Sequence, residues 1–263
     1  MAKAFASAGD LKRQKVTLEK LGDGLYACTA EGDPNTGVIV GDDCVMVIDA
    51  QATPVMAKRI VAKIRTVTKK PIRYVLLTHY HAVRVLGATG FEADEVITSA
   101  ATRELIAERG AQDFKSEADR FPRLFEAIET VPGLTWPTLT FEHSMTLWFG
   151  KREVQIVQIG RGHTKGDTVV WLPKEKVLFA GDLVEKQAAL YCGDAYLTEW
   201  PSTLDKLRAL KPRKLVPGRG SAATTPKQCQ DAMDSTERFV KDLMGHARFG
   251  VKRGWDLKRT FDR

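Results

Sequence analysis

Five histidines occur in the sequence, and His79 and His81 stand two positions apart just after the apolar run 74–78. In an extended segment that spacing turns both imidazoles to the same side, where two ring nitrogens can share one metal ion. A polar loop can also hold such a pair without a metal. Two further β-like runs end in polar residues flanked by glycine. Residues 157–160 lead into Gly162-His163-Thr164, and residues 177–180 lead into Gly181-Asp182. Layered α/β proteins place their sites at such strand ends. The plainer roles are a loop hydrogen bond for His163 and a turn cap for Asp182. Three coincidences of this kind together point to a metal site.

The elements that must position these residues are short. Residues 24–30, 36–40 and 44–48 read as strands, the last two joined through the turn Gly41-Asp42-Asp43. Thr53 followed by Pro54 starts an amphipathic helix with Val55, Met56, Ile60, Val61 and Ile64 at helical spacing. Strands are expected at 74–78 and 95–99, and a helix at 102–109 stopped by Gly110. Residues 113–130 form a charged, helical stretch carrying Phe114, Phe121, Leu124 and Phe125. Strands resume at 145–149, 154–159, 168–172 and 177–180, followed by a helix at 202–210 and a strand at 214–216. Pro226 opens a final helix with Cys229, Met233, Phe239, Val240, Leu243 and Met244 on one face. Two groups of strands, each followed by helices, predict an α/β protein with two sheets face to face and helices outside. No linker divides the chain. One domain is expected over residues 1–263, with its core at 22–220 and a C-terminal helix and basic tail at 221–263.

At 263 residues, 43% hydrophobic and 28% charged, the chain can bury a substantial core. No apolar run is long enough to span a bilayer, and residues 1–10 lack the apolar stretch of a secretory signal. Four scattered cysteines fit a reducing compartment, and a cytoplasmic location is expected. Only Cys192, in a Gly/Asp-rich stretch, sits where it could border a site. The net charge of +7 suits anionic partners. Part of the excess lies after His246 in Arg248, Lys252, Arg253, Lys258, Arg259 and Arg263, which reads as a solvated tail. No aromatic-interleaved basic stripe points to nucleic acid. His143 reads as a surface turn residue, and His246 as lying near a helix C-terminus.

These motifs resemble the metallo-β-lactamase superfamily. The resemblance rests on Thr78-His79-Tyr80-His81, Gly162-His163-Thr164, Ala180-Gly181-Asp182 and Val216-Pro217-Gly218, in that order, over about residues 22–220. It implies an αββα sandwich (the metallo-β-lactamase fold), two mixed sheets with metals at one edge between them. Asn35 and Asp49 fall where such proteins carry an Asn in an early strand and an Asp ending the next. The family's first motif runs His-x-His-x-Asp-His, and its late motif Pro-Gly-His-Gly. Here Val83, Arg84 and Arg219 stand at the positions that would serve the second metal alone. His79, His81 and His163, the first metal's ligands, are present, as is Asp182, which bridges the metals in two-metal members. Loss confined to one site implies a one-metal design, with one divalent ion, Zn2+ or alternatively Fe2+. Asp182 would complete the shell or sit beside the water. Arg84 and Arg219 keep the vacated subsite cationic, and their forked donors suit a carboxylate or phosphate oxygen. They are expected to hold an anionic substrate group or oxyanion; the structural alternative is pairing with Asp182 or another carboxylate.

The implied function is a metal-dependent hydrolase of a small ester, thioester, lactone, amide or phosphoester, with an anionic substrate and without a membrane or nucleic-acid partner; the family also allows a homodimer. Loss of the acid at position 83 argues against β-lactams. Two rival readings remain. His79, His163 and Asp182 could ligate iron as in persulfide dioxygenases, or the chain could be a degenerate binding or regulatory member.

Overall fold

The computed structural model describes residues 9–262. The expectation about residues 1–10 falls mostly outside them, as does Arg263 of the basic tail. One sheet holds seven strands in chain order: β1 (Thr17–Gly22), β2 (Leu25–Thr29), β3 (Thr36–Val40), β4 (Val45–Ile48), β5 (Ile72–Leu76), β6 (Glu95–Ser99) and β7 (Leu139–Phe141). It is antiparallel from β1 to β4 and parallel from β4 to β7. The second sheet contains β8 (Ser144–Phe149), β9 (Arg152–Val157), β10 (Val169–Leu172), β11 (Val177–Gly181) and β12 (Lys214–Pro217). Its order is β12-β11-β10-β9-β8, parallel only between β11 and β12.

Period-two alternation decides how the layers close. Ile39, Met46, Ile48 and Leu76 of the first sheet and Ile156, Val170, Leu172 and Phe179 of the second form one buried cluster between the sheets. The opposite faces bury Val38, Val47 and Val75 against helix α1 (Pro54–Ile64), and Trp171, Leu178 and Leu215 near helices α4 (Trp200–Ala209) and α5 (Pro226–Lys252). Two mixed sheets with helices outside therefore make the predicted sandwich. No described helix is long and apolar enough to cross a membrane.

Local chemistry explains both agreement and departure. Thr53 caps α1 by accepting from the Met56 amide, as the Thr-Pro signal predicts. Gly110 does not stop its helix: α3 runs from Ala100–Arg120. A Cβ there would lie 3.3 Å from the Leu134 side chain, so the glycine sits where α3 packs closely on the 131–137 segment. The expected helix at 113–130 therefore splits, because Pro122 closes it into two short 3-10 turns, Pro122–Phe125 and Ile128–Thr130. On α5, Cys229, Met233 and Val240 are buried as expected, but Phe239 and Leu243 are exposed. The helix continues to Lys252, so His246 lies inside it and not at its end. The basic tail contains a further helix, α6 (Leu257–Phe261), with Arg259 stacked 4.5 Å over Trp255.

Candidate metal centre

The C-terminal ends of parallel strands β4, β5, β11 and β12 converge on one edge of the sandwich. Just past β5, the chain places His79 and His81 in the loop before the one-turn helix α2 (Ala82–Val85). Between β9 and β10, His163 sits in a loop folded by Asp167, whose carboxylate accepts from the Thr164 amide at 2.9 Å and hydroxyl at 2.6 Å. One nitrogen from each of the three rings falls within 4.8 Å of the others, and all three residues are buried. Sequence spacing alone could not show this convergence.

Each outward ring nitrogen already has a partner. His79 Nδ1 lies 2.9 Å from Thr78 Oγ1, His81 Nε2 lies 3.1 Å from Asp194 Oδ2, and His163 Nδ1 lies 3.1 Å from the Tyr191 carbonyl. That leaves His79 Nε2, His81 Nδ1 and His163 Nε2 facing inward. The first is buried with no hydrogen-bond partner, and the other two are 3.0 Å apart. Tetrahedral zinc with bonds of 2.0–2.1 Å to nitrogen spaces its donors by about 3.3 Å. An unmet buried polar atom costs about 1–3 kcal/mol, which a cation would offset. Burial also holds the rings of His79 and His163 neutral, pushing His163 down to about 3. Neutral imidazole is the ligating form; at His81 burial is outweighed by Asp194 and neighbouring carboxylates, which favour a charged ring. A divalent cation there would displace that proton, while His79 and His163 are already in the ligating state.

Asp182 follows Gly181, the last residue of β11, whose φ of 54° leaves no room for a side chain against Thr78. Its Oδ2 lies 3.6 Å from Nε2 of both His79 and His163. Both its oxygens meet guanidinium groups: Oδ1 accepts from Arg84, and Oδ2 from Arg219 at 3.3 Å. Burial alone would favour the neutral acid; Arg84, with Arg219, outweighs it and holds the carboxyl well below its usual range. Arg84 is fully buried and also donates to the carbonyls of Asn35 at 3.1 Å and Gly218 at 2.8 Å. At Gly218 any Cβ would lie 2.1 Å from Asp182 Oδ1, so the absence of a side chain admits this ion pair.

The profile of the metallo-beta-lactamase superfamily matches residues 29–219, which include every one of these groups. The chain belongs to that superfamily. It is 39% identical over 117 residues to a metallo-beta-lactamase type 2 of Bacteroides fragilis, a match covering 43% of this chain and 45% of that protein. It is 26% identical over 198 residues to the type 2 enzyme of Bacillus sp. (strain 170), covering 72% of this chain and 68% of the relative. Among solved structures, the metallo-beta-lactamase from Pontibacter korlensis superposes with a TM-score of 0.69 at 22% identity, over 86% of this chain and 99% of that one.

The superfamily frame makes the two arginines distinct. A cavity of about 430 Å³ opens onto His81, His163, Asp182 and Arg219. Arg84 does not line it and makes the buried pairing just described, the alternative weighed against a substrate contact. Arg219 stays at the cavity wall, where Nη1 also donates to Glu185 at 3.2 Å. Asn35 donates to the carbonyls of Pro217 at 2.9 Å and Gly220 at 2.7 Å, tying the Arg219 loop to the first sheet. Asp49 accepts from the Thr78 amide at 2.8 Å and hydroxyl at 2.9 Å, which fixes the turn into His79. His143 is exposed, and Cys192 does not line the cavity.

Asp194 was not legible beforehand. It accepts from the Tyr80 hydroxyl at 2.5 Å and is paired with Arg109 as well as meeting His81. Only the Gly-Asp stretch after Cys192 hinted at it. Carboxylates in this position orient a ligating imidazole, and losing one typically costs 10–100-fold in metal affinity. Asp194→Asn is expected to weaken zinc binding by about tenfold or more, measured by competition with a chromophoric chelator.

Proposed function

We propose that the protein is a metal-dependent hydrolase working with a single divalent cation, zinc, held by His79 Nε2, His81 Nδ1 and His163 Nε2. The observation that carries this reading is the division of ring nitrogens, every outer one satisfied and every inner one directed at a shared point. Bound there, zinc would supply Lewis acidity and a water of lowered pKa. Asp182, tied to two guanidinium groups, is a weak base; its ionised Oδ2 serves to orient a proton-bearing group beside the imidazoles. The grouping of three imidazoles supports zinc over the two-histidine, one-carboxylate iron site.

The substrate is an ester, thioester, lactone or phosphoester bearing an anionic group at Arg219, the arginine that combines cavity exposure with proximity to Asp182. Val83 in the place of a water-orienting acid disfavours β-lactams. Arg219→Ala is expected to lower kcat/KM for carboxylate-bearing esters by about 10–100-fold while sparing neutral ones, as loss of a charge-assisted hydrogen bond predicts. Equal losses for both series would assign Arg219 to holding Asp182 and Glu185 alone.

A further inference from the structure

The cavity beside the three imidazoles has two unlike walls. Asp182 and Arg219 are the charged groups nearest the imidazoles; the apolar part is made by Phe121 and Leu124 after α3 and by Leu190 and Tyr191 of the segment following β11, with Glu117 and Arg123 also lining the cavity. Leu124 is buried, Phe121 and Leu190 are half-buried, and Tyr191 is 37% exposed. The Tyr191 ring stands 5.4 Å from that of His81 and 6.2 Å from that of His163, so the apolar wall begins where the reacting group must sit.

Two contacts to α3 fix this wall. Arg120 lies 4.8 Å over the Tyr191 ring, and Arg109 pairs with Asp194 three residues later in the same segment. The Tyr191 carbonyl, 3.1 Å from His163 Nδ1, anchors it to the donor set. An apolar surface held this firmly against a metal-binding group needs a ligand that covers it, because polar substrates leave it wetted.

We infer that the substrate carries an apolar acyl group, a short branched chain or a single ring, seated on Phe121, Leu124, Leu190 and Tyr191 beside the imidazoles. Its size follows from the cavity: about 430 Å³ shared with the leaving group is filled best by a short chain or one ring. The inference rests on the hydrolase reading and names the acyl half of its substrate. In the reaction the carbonyl carbon gains a water oxygen and loses the alkoxide or thiolate. That leaving group departs with one proton of the water, the other is released to solvent, and the acyl group leaves as a carboxylate.

The test uses the zinc-loaded full chain with N-acetylcysteamine thioesters of acetate, butyrate, hexanoate and phenylacetate. Calorimetric titration with the corresponding free carboxylates runs in parallel. Hexanoyl and phenylacetyl thioesters should exceed the acetyl one in kcat/KM by about tenfold or more, a modest demand for several added carbons in an apolar pocket. Leu190→Asp should collapse that ratio, with thermal melting confirming a folded variant. Hydrolysis without chain preference overturns the inference and leaves the hydrolase reading standing. If no thioester is cleaved, the hydrolase reading is in question for this class, and the carboxylates decide the pocket. Phenylacetate or hexanoate binding at least tenfold tighter than acetate supports the apolar seat; equal binding overturns it.

Discussion

Protein loaded with zinc and freed of excess by gel filtration is expected to carry one zinc per chain, and His163→Ala less than a tenth of that. His163 supplies one of three inward nitrogens, so its loss removes a ligand outright. Outer-shell losses already cost up to about 100-fold, and a ligand loss should exceed that. Metal analysis by plasma emission checks both numbers. The limit of one follows from charge. The ground beside the triad is held by Arg84 and Arg219, both turned on Asp182. Two unit charges 4 Å apart interact by about 4 kcal/mol at an effective dielectric of 20, so a divalent ion near one guanidinium meets roughly 8 kcal/mol of repulsion. Two zinc ions per chain would refute the one-cation design, and none would remove the metal reading altogether.

The same arginines mark how far sequence can reach. The resemblance already set Val83, Arg84 and Arg219 at the positions expected to serve a second ion. Their division of labour was not readable, because it depends on depth. Arg84 lies on α2 beneath the His81 turn, with Asp113 accepting from the Ala82 amide at 2.7 Å and Glu117 from the Val83 amide at 2.9 Å. That turn is thereby held against α3, placing Arg84 in the interior while Arg219 remains at the cavity wall. No periodicity encodes such depth.

Elements followed a similar rule. Strands β3 and β6 and the start of α1 were readable at their true bounds because hairpin, apolar-run and capping signals coincide there. Strands β1 and β7 escaped notice as edge strands with mixed burial, where alternation is weak. The four-residue helix α2 was too short for any period to show. Asp194 was hidden for a different reason: its partners Tyr80, His81 and Arg109 are more than eighty residues away in sequence, and only the closed fold joins them.

Arg84→Ala is expected to lower the unfolding temperature by about 10 °C, the second large effect. The side chain is fully buried, and removing it strands Asp182 and weakens the field on Asp49, whose Oδ2 lies 3.6 Å from Arg84. Breaking a buried pair from one side costs about 3–5 kcal/mol. In a chain of this size each kcal/mol moves the midpoint by about 2–4 °C. The pH dependence identifies the cause. In the native chain the Asp182 carboxyl lies below its unfolded value, so its stabilising share is present above about pH 3.9 and lost as pH falls beneath that. Without Arg84, burial gains weight at Asp182 and at Asp49, which burial already raises to about 6, so the variant loses stability as pH rises past the unfolded values. The gap in midpoint between the two proteins should therefore widen from pH 5 to pH 8 in calorimetric scans. Adding Asp182→Asn to Arg84→Ala removes the larger stranded charge and should reduce the widening, leaving the share of Asp49. A constant gap across that range would mean that lost packing, and not an uncompensated carboxylate, sets the cost.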